Sequence, residues 1–285
     1  MRKILITGKN SYIGTNVKKW LEQEKNNYEV MELDVKTDEW LQEDFSNYDV
    51  ILHVAGIAHV STNKKLEDLY YKVNRDLAIK VAEKAKAENV KQFIFMSSMI
   101  IYGDDATVGK TKVINKDTVP QPKNFYGNSK LQAEEGIKQL ENENFKTVII
   151  RTPMVYGPNC KGNFQKLKKI AKISPIFPDI KNERSMIYID NLCEFIKQII
   201  DNEKDGIFYP QNKEYVSTKQ IIKVMAENMN KKIHFIKLFN FILKLMSKKI
   251  NLINKVFGTK IYAKELSGNF DYIVVDNEES IRRSV

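Results

Sequence analysis

Lys3-Ile-Leu-Ile-Thr7-Gly8-Lys-Asn-Ser-Tyr-Ile-Gly14 opens the chain and decides its architecture. Lys3 to Thr7 is an apolar run with β-branched residues and reads as a short buried strand. Gly8 follows at once. Beyond it Ile13, Val17, Trp20 and Leu21 recur at helical spacing. A strand, a tight turn and a helix N-terminus turn unpaired backbone N–H groups and the positive end of the helix dipole toward one point, a cradle suited to a diphosphate. Gly14 permits close packing of helix on strand. The spacing Gly8, Ser11, Gly14 lacks the middle glycine of the usual three, so Ser11 adds a side chain where a phosphate would approach.

Tyr28-Glu-Val-Met-Glu-Leu-Asp34 reads as the second strand and ends in an acid. An Asp there would hydrogen-bond the ribose of an adenosine. A carboxylate repels a 2′-phosphate, so NAD is the expected cofactor, with NADP the alternative because Lys9 and Lys36 lie close by. Strand-like runs at 4–7, 29–33, 50–54, 92–96 and 147–150 alternate with helical patterns at 12–24, 66–88 and 126–141. Such alternation predicts an α/β fold, a doubly wound parallel sheet with its active groups at the carboxyl ends of the strands. From Asn159 onward the rhythm breaks and Pro175, Pro178 and Pro210 appear. The expected division is a dinucleotide-binding Rossmann domain at 1–160 and a smaller mixed substrate domain at 161–285, with 186–200 packing back on the sheet.

Tyr126-Gly-Asn-Ser-Lys130 places a phenol and an ammonium one helical turn apart on the same side. A phenol ordinarily titrates near pH ~10, and an adjacent cation favours its ionised form. Ser98 can hydrogen-bond the same substrate oxygen. Together they can move a proton at a carbinol or ketone while a cofactor moves the hydride.

At this point the chain resembles the extended short-chain dehydrogenase/reductase family, the NAD-dependent nucleotide-sugar epimerases and dehydratases. Thr7-Gly8-x-x-Ser11-Tyr12-Ile13-Gly14 is similar to the family's glycine motif, and His53-Val-Ala-Gly56 to the end of its third core strand. Asn74 matches a helix asparagine, and Phe93-Ile-Phe-Met-Ser-Ser98-Met-Ile-Ile-Tyr102-Gly103 the block that carries the catalytic serine or threonine. Arg151-Thr-Pro-Met-Val-Tyr156-Gly-Pro158 and Arg184-Ser-Met-Ile-Tyr-Ile-Asp190 complete the series. The resemblance implies catalysis by Ser98, Tyr126 and Lys130. It implies cofactor contacts from Gly8, Ser11, Tyr12, Ile13, Gly14, Asp34, Val54, Ala55, Gly56, Asn74, Tyr126, Lys130 and Pro153. Gly162-Asn163-Phe164 and the Arg184 block look most like bacterial UDP-hexose and UDP-N-acetylhexosamine 4-epimerases and 4-keto-6-deoxy-sugar reductases that supply surface polysaccharides. A UDP-sugar would then meet Ser98, with its diphosphate on Arg184 and Asn163. The family's pairing of two long helices across a two-fold axis implies a homodimer through 66–88 and 126–141. There are departures: Met154 and Tyr188 replace a common Asn and His, and fourteen residues between Asp34 and Asp49 are too few for the expected helix, strand and second helix.

Composition narrows the alternatives. The 285 residues, 42% hydrophobic, suffice for a large core. Met1-Arg-Lys runs straight into a strand, no apolar stretch has membrane-spanning length, and a cytoplasmic location is expected. Cys160 and Cys193 are unpatterned, and His53, His59 and His234 share no ligand spacing, so no metal is expected. The formal charge of +10 could suit nucleic acid, but basic residues run along helices without the interleaving of a nucleic-acid surface, so no such partner is expected. Positions 234–257 mix large apolar residues with Lys237, Lys244, Lys248, Lys249 and Lys255. The stretch reads as helices covering the sugar pocket, with an amphipathic membrane-surface element as the rival.

Ser98 is followed by Met99-Ile100-Ile101, which offer no acid for dehydration. Epimerisation at C4 is therefore the expected reaction, and reduction of a UDP-4-keto-6-deoxy-sugar the alternative. A non-catalytic NAD(P)-binding sensor or scaffold is the reading from another class, supported by Ser11 and opposed by the intact Ser98, Tyr126 and Lys130.

Overall fold

The computed structural model describes residues 1–58 and 63–285; His59 lies outside them. In chain order the elements are β1 (Arg2–Thr7), α1 (Tyr12–Leu21), β2 (Tyr28–Leu33), β3 (Val50–His53), α2 (Glu67–Tyr71), α3 (Leu77–Ala87), β4 (Gln92–Ser98), β5 (Thr111–Ile114), α4 (Phe125–Lys138), β6 (Lys146–Thr152) and β7 (Met154–Tyr156). There follow α5 (Asn163–Ile173), β8 (Ile176–Pro178), β9 (Met186–Tyr188), α6 (Ile189–Asp201), β10 (Gly206–Phe208), α7 (Thr218–Asn228), β11 (His234–Ile236), α8 (Asn240–Met246), α9 (Asn251–Phe257), β12 (Thr259–Tyr262) and α10 (Asn277–Arg283).

Six strands form one sheet in the order β10-β6-β4-β3-β1-β2, and every pairing is parallel. Side chains alternate across a strand, and the core divides accordingly. Ile4 and Ile6 of β1, with Ile94 and Met96 of β4, pack with Val17 and Leu21 of α1 and with α6. Leu5, Ile51, Phe93 and Phe95 point the other way, onto Ala78, Val81 and Ala82 of α3 and Ala133 and Ile137 of α4. The fold is the expected α/β, doubly wound parallel sheet. Its sixth strand, β10, comes from the C-terminal part, and α6 lies beside α1 in the same core. Between Asp34 and Asp49 stand two short 3-10 turns, Asp38–Gln42 and Phe45–Asn47, so β2 ends the sheet.

Two local departures matter. Between α2 and α3 the helix widens to a π-turn, Lys72–Asp76, with buried Asn74 at its centre. Such turns insert one residue and recur at functional sites. In the 234–257 stretch, α8 buries none of its residues.

Candidate active site

Gly8 sits at φ +113°, a conformation other residues rarely adopt, and a Cβ there would stand 2.7 Å from the Ala55 nitrogen. The β1–α1 turn thus lies against the end of β3, whose Val54 and Ala55 amides both donate to Thr7 O at 3.0 Å. Ser11 is the N-cap of α1, and its Oγ accepts from the Gly14 amide at 3.1 Å. The serine at the missing-glycine position therefore turns its hydroxyl back into its own helix. Tyr12 and Ile13, as first-turn residues, present amides that have no intrahelical acceptor. The cradle fits a diphosphate.

Asp34, at the end of β2, is exposed; its Oδ1 accepts from the Lys36 amide at 3.0 Å and its Oδ2 lies 3.8 Å from Lys36 Nζ. Glu32, two residues earlier, accepts from the Asn10 amide at 3.3 Å and from Thr15 Oγ1 at 3.4 Å. The acid in contact with the glycine turn is thus Glu32, which sequence reasoning passed over because a strand acid ordinarily reads as a solvent-side residue. Pro153 is buried between β6 and β7.

Gly56, just past β3, lies against the π-turn and α4. A Cβ there would meet Asn74 Oδ1 at 3.0 Å and Lys130 Nζ at 3.4 Å, so a side chain at 56 would press on the Asn74 amide and touch Lys130. Asn74 accepts from the Ile57 amide at 2.8 Å, donates to Ile57 O at 3.1 Å and donates to Ser129 Oγ at 3.3 Å. Lys130 is buried, donates to Met96 O at 2.8 Å and lies 4.5 Å above the Phe95 ring. Burial pulls its pKa down to about 8, against the opposing charge of Glu134.

Tyr126 is half-buried on the first turn of α4, edge-on to Tyr70 with ring centroids 5.8 Å apart. Burial pushes its phenol up to about 12, while the hydrogen bond with Ser98 works in the opposite direction. The expected lowering of this phenol by Lys130 is not seen: burial sets the direction, and the opposing influence comes from Ser98. Tyr126 therefore rests protonated, as a donor. Ser98 ends β4, opposite Thr152 of β6, and caps the 3-10 turn Met99–Tyr102 through the Ile100 amide at 3.3 Å.

Behind these groups lies a buried network that the sequence did not reveal. Arg151 donates to both Glu134 oxygens, with its Nη2 at 2.6 Å from Oε2, and to the hydroxyls of Tyr102 at 2.6 Å and Tyr209 at 3.0 Å. Ser97 donates to Glu134. Burial disfavours the Arg151 charge, but Glu134 more than offsets it and raises its pKa. Glu134 follows Tyr126 and Lys130 at the same four-residue interval, and that repeat was the available signal. His53 meets Thr7 Oγ1 through Nδ1 at 2.8 Å; burial, then the Lys130 charge, lowers its pKa to about 3, so the ring is neutral.

The substrate-side residues stand apart. Asn163 is exposed at the start of α5, after Gly162. Arg184 donates to Asp105 Oδ2 at 3.1 Å and to Lys255 O and Gly258 O at 3.0 and 3.3 Å. Its fork is engaged by the protein, and a diphosphate would have to displace Asp105. The described residues hold no cluster of metal-ligating groups, and no helix among them is long and apolar enough to cross a membrane.

Comparison with known proteins agrees with this geometry. A UDP-glucose 4-epimerase of Vibrio cholerae is 30% identical over 255 residues, covering 81% of this chain and 76% of that protein. An N-acetyl-alpha-D-glucosaminyl-diphospho-ditrans,octacis-undecaprenol 4-epimerase of Escherichia coli O157:H7 is 27% identical, covering 81% and 73%. In fold, the chain is similar to the UDP-glucuronic acid 4-epimerase of Bacillus cereus in complex with NAD, at a TM-score of 0.75 and 19% identity over 99% of this chain and 97% of that one. It is also similar to the dTDP-4-dehydrorhamnose reductase of Bacillus anthracis in complex with NADP, at a TM-score of 0.71 and 21% identity over 99% and 98%. Residues 4–215 match the NAD dependent epimerase/dehydratase family, and the chain belongs to that family.

Proposed function

We propose that this enzyme epimerises C4 of a UDP-hexose or UDP-N-acetylhexosamine for surface-polysaccharide supply. The observation that carries the reading is Tyr126, a phenol hydrogen-bonded with Ser98 and one helical turn from Lys130, which in turn lies with Asn74 against Gly56. NAD is the family's cofactor. Gly8, Ser11 and the amides of Tyr12 and Ile13 would hold its diphosphate, Asp34 or Glu32 its adenosine ribose, and Lys130 with Asn74 the nicotinamide end. When bound, NAD supplies hydride exchange at C4. The phenol first releases its proton to solvent, an ionisation that a nearby ammonium favours; as phenolate, Tyr126 takes the O4 proton as C4 is oxidised and returns it as C4 is reduced. Ser98 holds O4, and Lys130 stabilises charge on the phenol as the proton leaves. The residues after Ser98 are Met99, Ile100 and Ile101, so no acid stands there to eliminate water.

The division into a cofactor part, 1–160, and a substrate part, 161–285, belongs to the same proposal. So does a homodimer through α3 and α4, which light scattering at micromolar concentration checks.

Two other readings have specific support. Reduction of a UDP-4-keto-6-deoxy-sugar is supported by the likeness in fold to the reductase. A sugar carried on a lipid diphosphate is supported by the E. coli relative and by the exposed apolar residues of α8. The test is incubation with UDP-glucose, UDP-N-acetylglucosamine and a UDP-4-keto-6-deoxy-sugar, with and without NAD(P)H, and NMR of the products. The C4 epimer formed with NAD present only in catalytic amount is expected. Stoichiometric NAD(P)H consumption would move the reaction to reduction, and no conversion of either UDP-hexose would overturn the UDP-sugar reading.

A further inference from the structure

The positive charge of this chain is local. Between Glu227 and Glu265 the 37 residues 228–264 contain nine lysines and no acid. With those nine set aside, the rest of the chain carries 37 basic and 36 acidic residues. Nearly the whole excess of +10 thus belongs to one segment, the one whose apolar residues face outward. Leu238 is 79% exposed, Phe241 71%, Leu252 63% and Ile242 53%. Leu245, Met246 and Ile250 are exposed as well, and α8 buries no residue at all. The surface extends past this segment. Parallel pairing sets His234 of β11 beside Ile176 of β8, and Ile176 and Ile173 are themselves exposed at the end of the lysine-rich α5. Residues 161–178 likewise contain no acid.

We propose that the face formed by α8, α9 and the end of α5 docks on an anionic lipid bilayer. Large apolar side chains fringed by lysines are what a bilayer interface takes up: the apolar groups enter the acyl boundary while the long lysine stems keep their ammonium groups among anionic headgroups. A second copy of the chain fits this face poorly, because a two-fold contact would set a lysine-rich surface, with Asp179 already paired to Lys219, against itself. Nucleic acid is favoured by the charge but not by the mostly aliphatic exposed residues, which offer bases no stacking platform. The described residues hold no membrane-spanning helix, so the docking is peripheral. The face also connects to the site, since α9 leads directly into β12, whose Lys260 donates to Met99 O at 3.1 Å and Gly103 O at 2.5 Å beside Ser98. The proposal does not depend on which sugar is turned over, because docking is read without turnover.

The experiment is co-sedimentation of the full chain with vesicles of phosphatidylcholine containing about 30 mol% phosphatidylglycerol, and with phosphatidylcholine alone, at low and high salt. Binding to the anionic vesicles is expected, weaker at high salt. Leu238→Glu/Phe241→Glu/Leu252→Glu should lower it at least tenfold with unchanged thermal unfolding, since all three side chains are exposed. Lys237→Gln/Lys244→Gln/Lys248→Gln/Lys249→Gln should lower it and flatten its salt dependence. Absence of wild-type binding would overturn the proposal. So would loss in the lysine variant with full binding in the apolar one, which is the behaviour of a polyanion site. Vesicle binding unaltered by the apolar variant while its oligomeric state changes would assign the face to self-association instead.

Discussion

Two buried lysines donate to the same segment, 96–104, and they do different things. Lys130 of α4 donates to Met96 O, and Lys260 of β12 to Met99 O and Gly103 O. Burial pulls each to about 8. Lys112, half-buried on β5, adds bonds to Tyr102 O and Asp104 O. What separates the first two is their surroundings. Lys130 shares its pocket with Gly56 and Asn74 and lies one helical turn from Tyr126, whereas Lys260 has Asp105 as the main neighbour raising its pKa, with Arg184 beside it. Equal burial and equal titration therefore do not by themselves single out a lysine; the two differ in the groups each one meets.

The strongest way to test the contrast is to remove what Lys130 serves. Tyr126→Phe should keep the fold and the binding of both ligands while turnover falls by roughly 10²–10⁴, the usual worth of one acid/base group. In that background Lys130→Met should cost little further turnover, because the two act as one unit, whereas any effect of Lys260→Met should simply add. Near-wild-type turnover of Tyr126→Phe on the true substrate would refute the assignment.

The two lysines separate next on their own. Lys130→Met should lower turnover about 100-fold and weaken NAD binding. Lys260→Met should leave turnover within about tenfold and act on stability, by roughly 1–3 kcal/mol for carbonyls left without a donor. The pH dependence has a definite sign. Both groups titrate near 8 in the folded chain against 10.5 ordinarily, so the unfolded chain holds more protons between those values. Stability should rise with pH across that window, and chemical denaturation at several pH values should show the slope reduced in either methionine variant.

The smallest effect concerns Arg184. Its ion pair with Asp105 discounts what a diphosphate can gain, so Arg184→Ala should raise the KM for a UDP-sugar by only about tenfold, with NAD affinity unchanged. Asp105→Asn should lower that KM a few-fold and draw the Lys260 pKa down further. If Arg184 merely clasps Asp105 to the carbonyls at 255 and 258, both KM values stay at wild type and only thermal unfolding shifts.

The sequence was legible wherever a period or a spacing carried the information. Alternating runs marked the strands β1, β2, β3, β4 and β6, and each lies within a residue or two of its expected bounds. Strand β10 was not visible, because three residues, Gly206–Phe208, show no period and join the sheet only through tertiary contact. The π-turn was not visible either, since one inserted residue hardly disturbs a helical pattern. Among the motif residues, Ser98 meets Tyr126, and Lys130 and Asn74 both meet Gly56. The engagement of Arg184 by Asp105, 79 positions away, and the pairing of Arg151 with Glu134 depend on which chain segments meet, and no spacing encodes that.

The shortness of the 34–49 connection also bears on how the enzyme survives at high concentration. Because that connection adds no further strand, β2 stands last in the sheet and offers an open row of backbone donors and acceptors to any passing strand. Met31 is 49% exposed there, an apolar foothold for unwanted assembly. Glu29, exposed two residues earlier on the same face, would meet its own counterpart if a second β2 lay in register along the first. One exposed glutamate thus gives this sheet edge some of the protection from edge-to-edge aggregation that a longer connection would have provided by covering it.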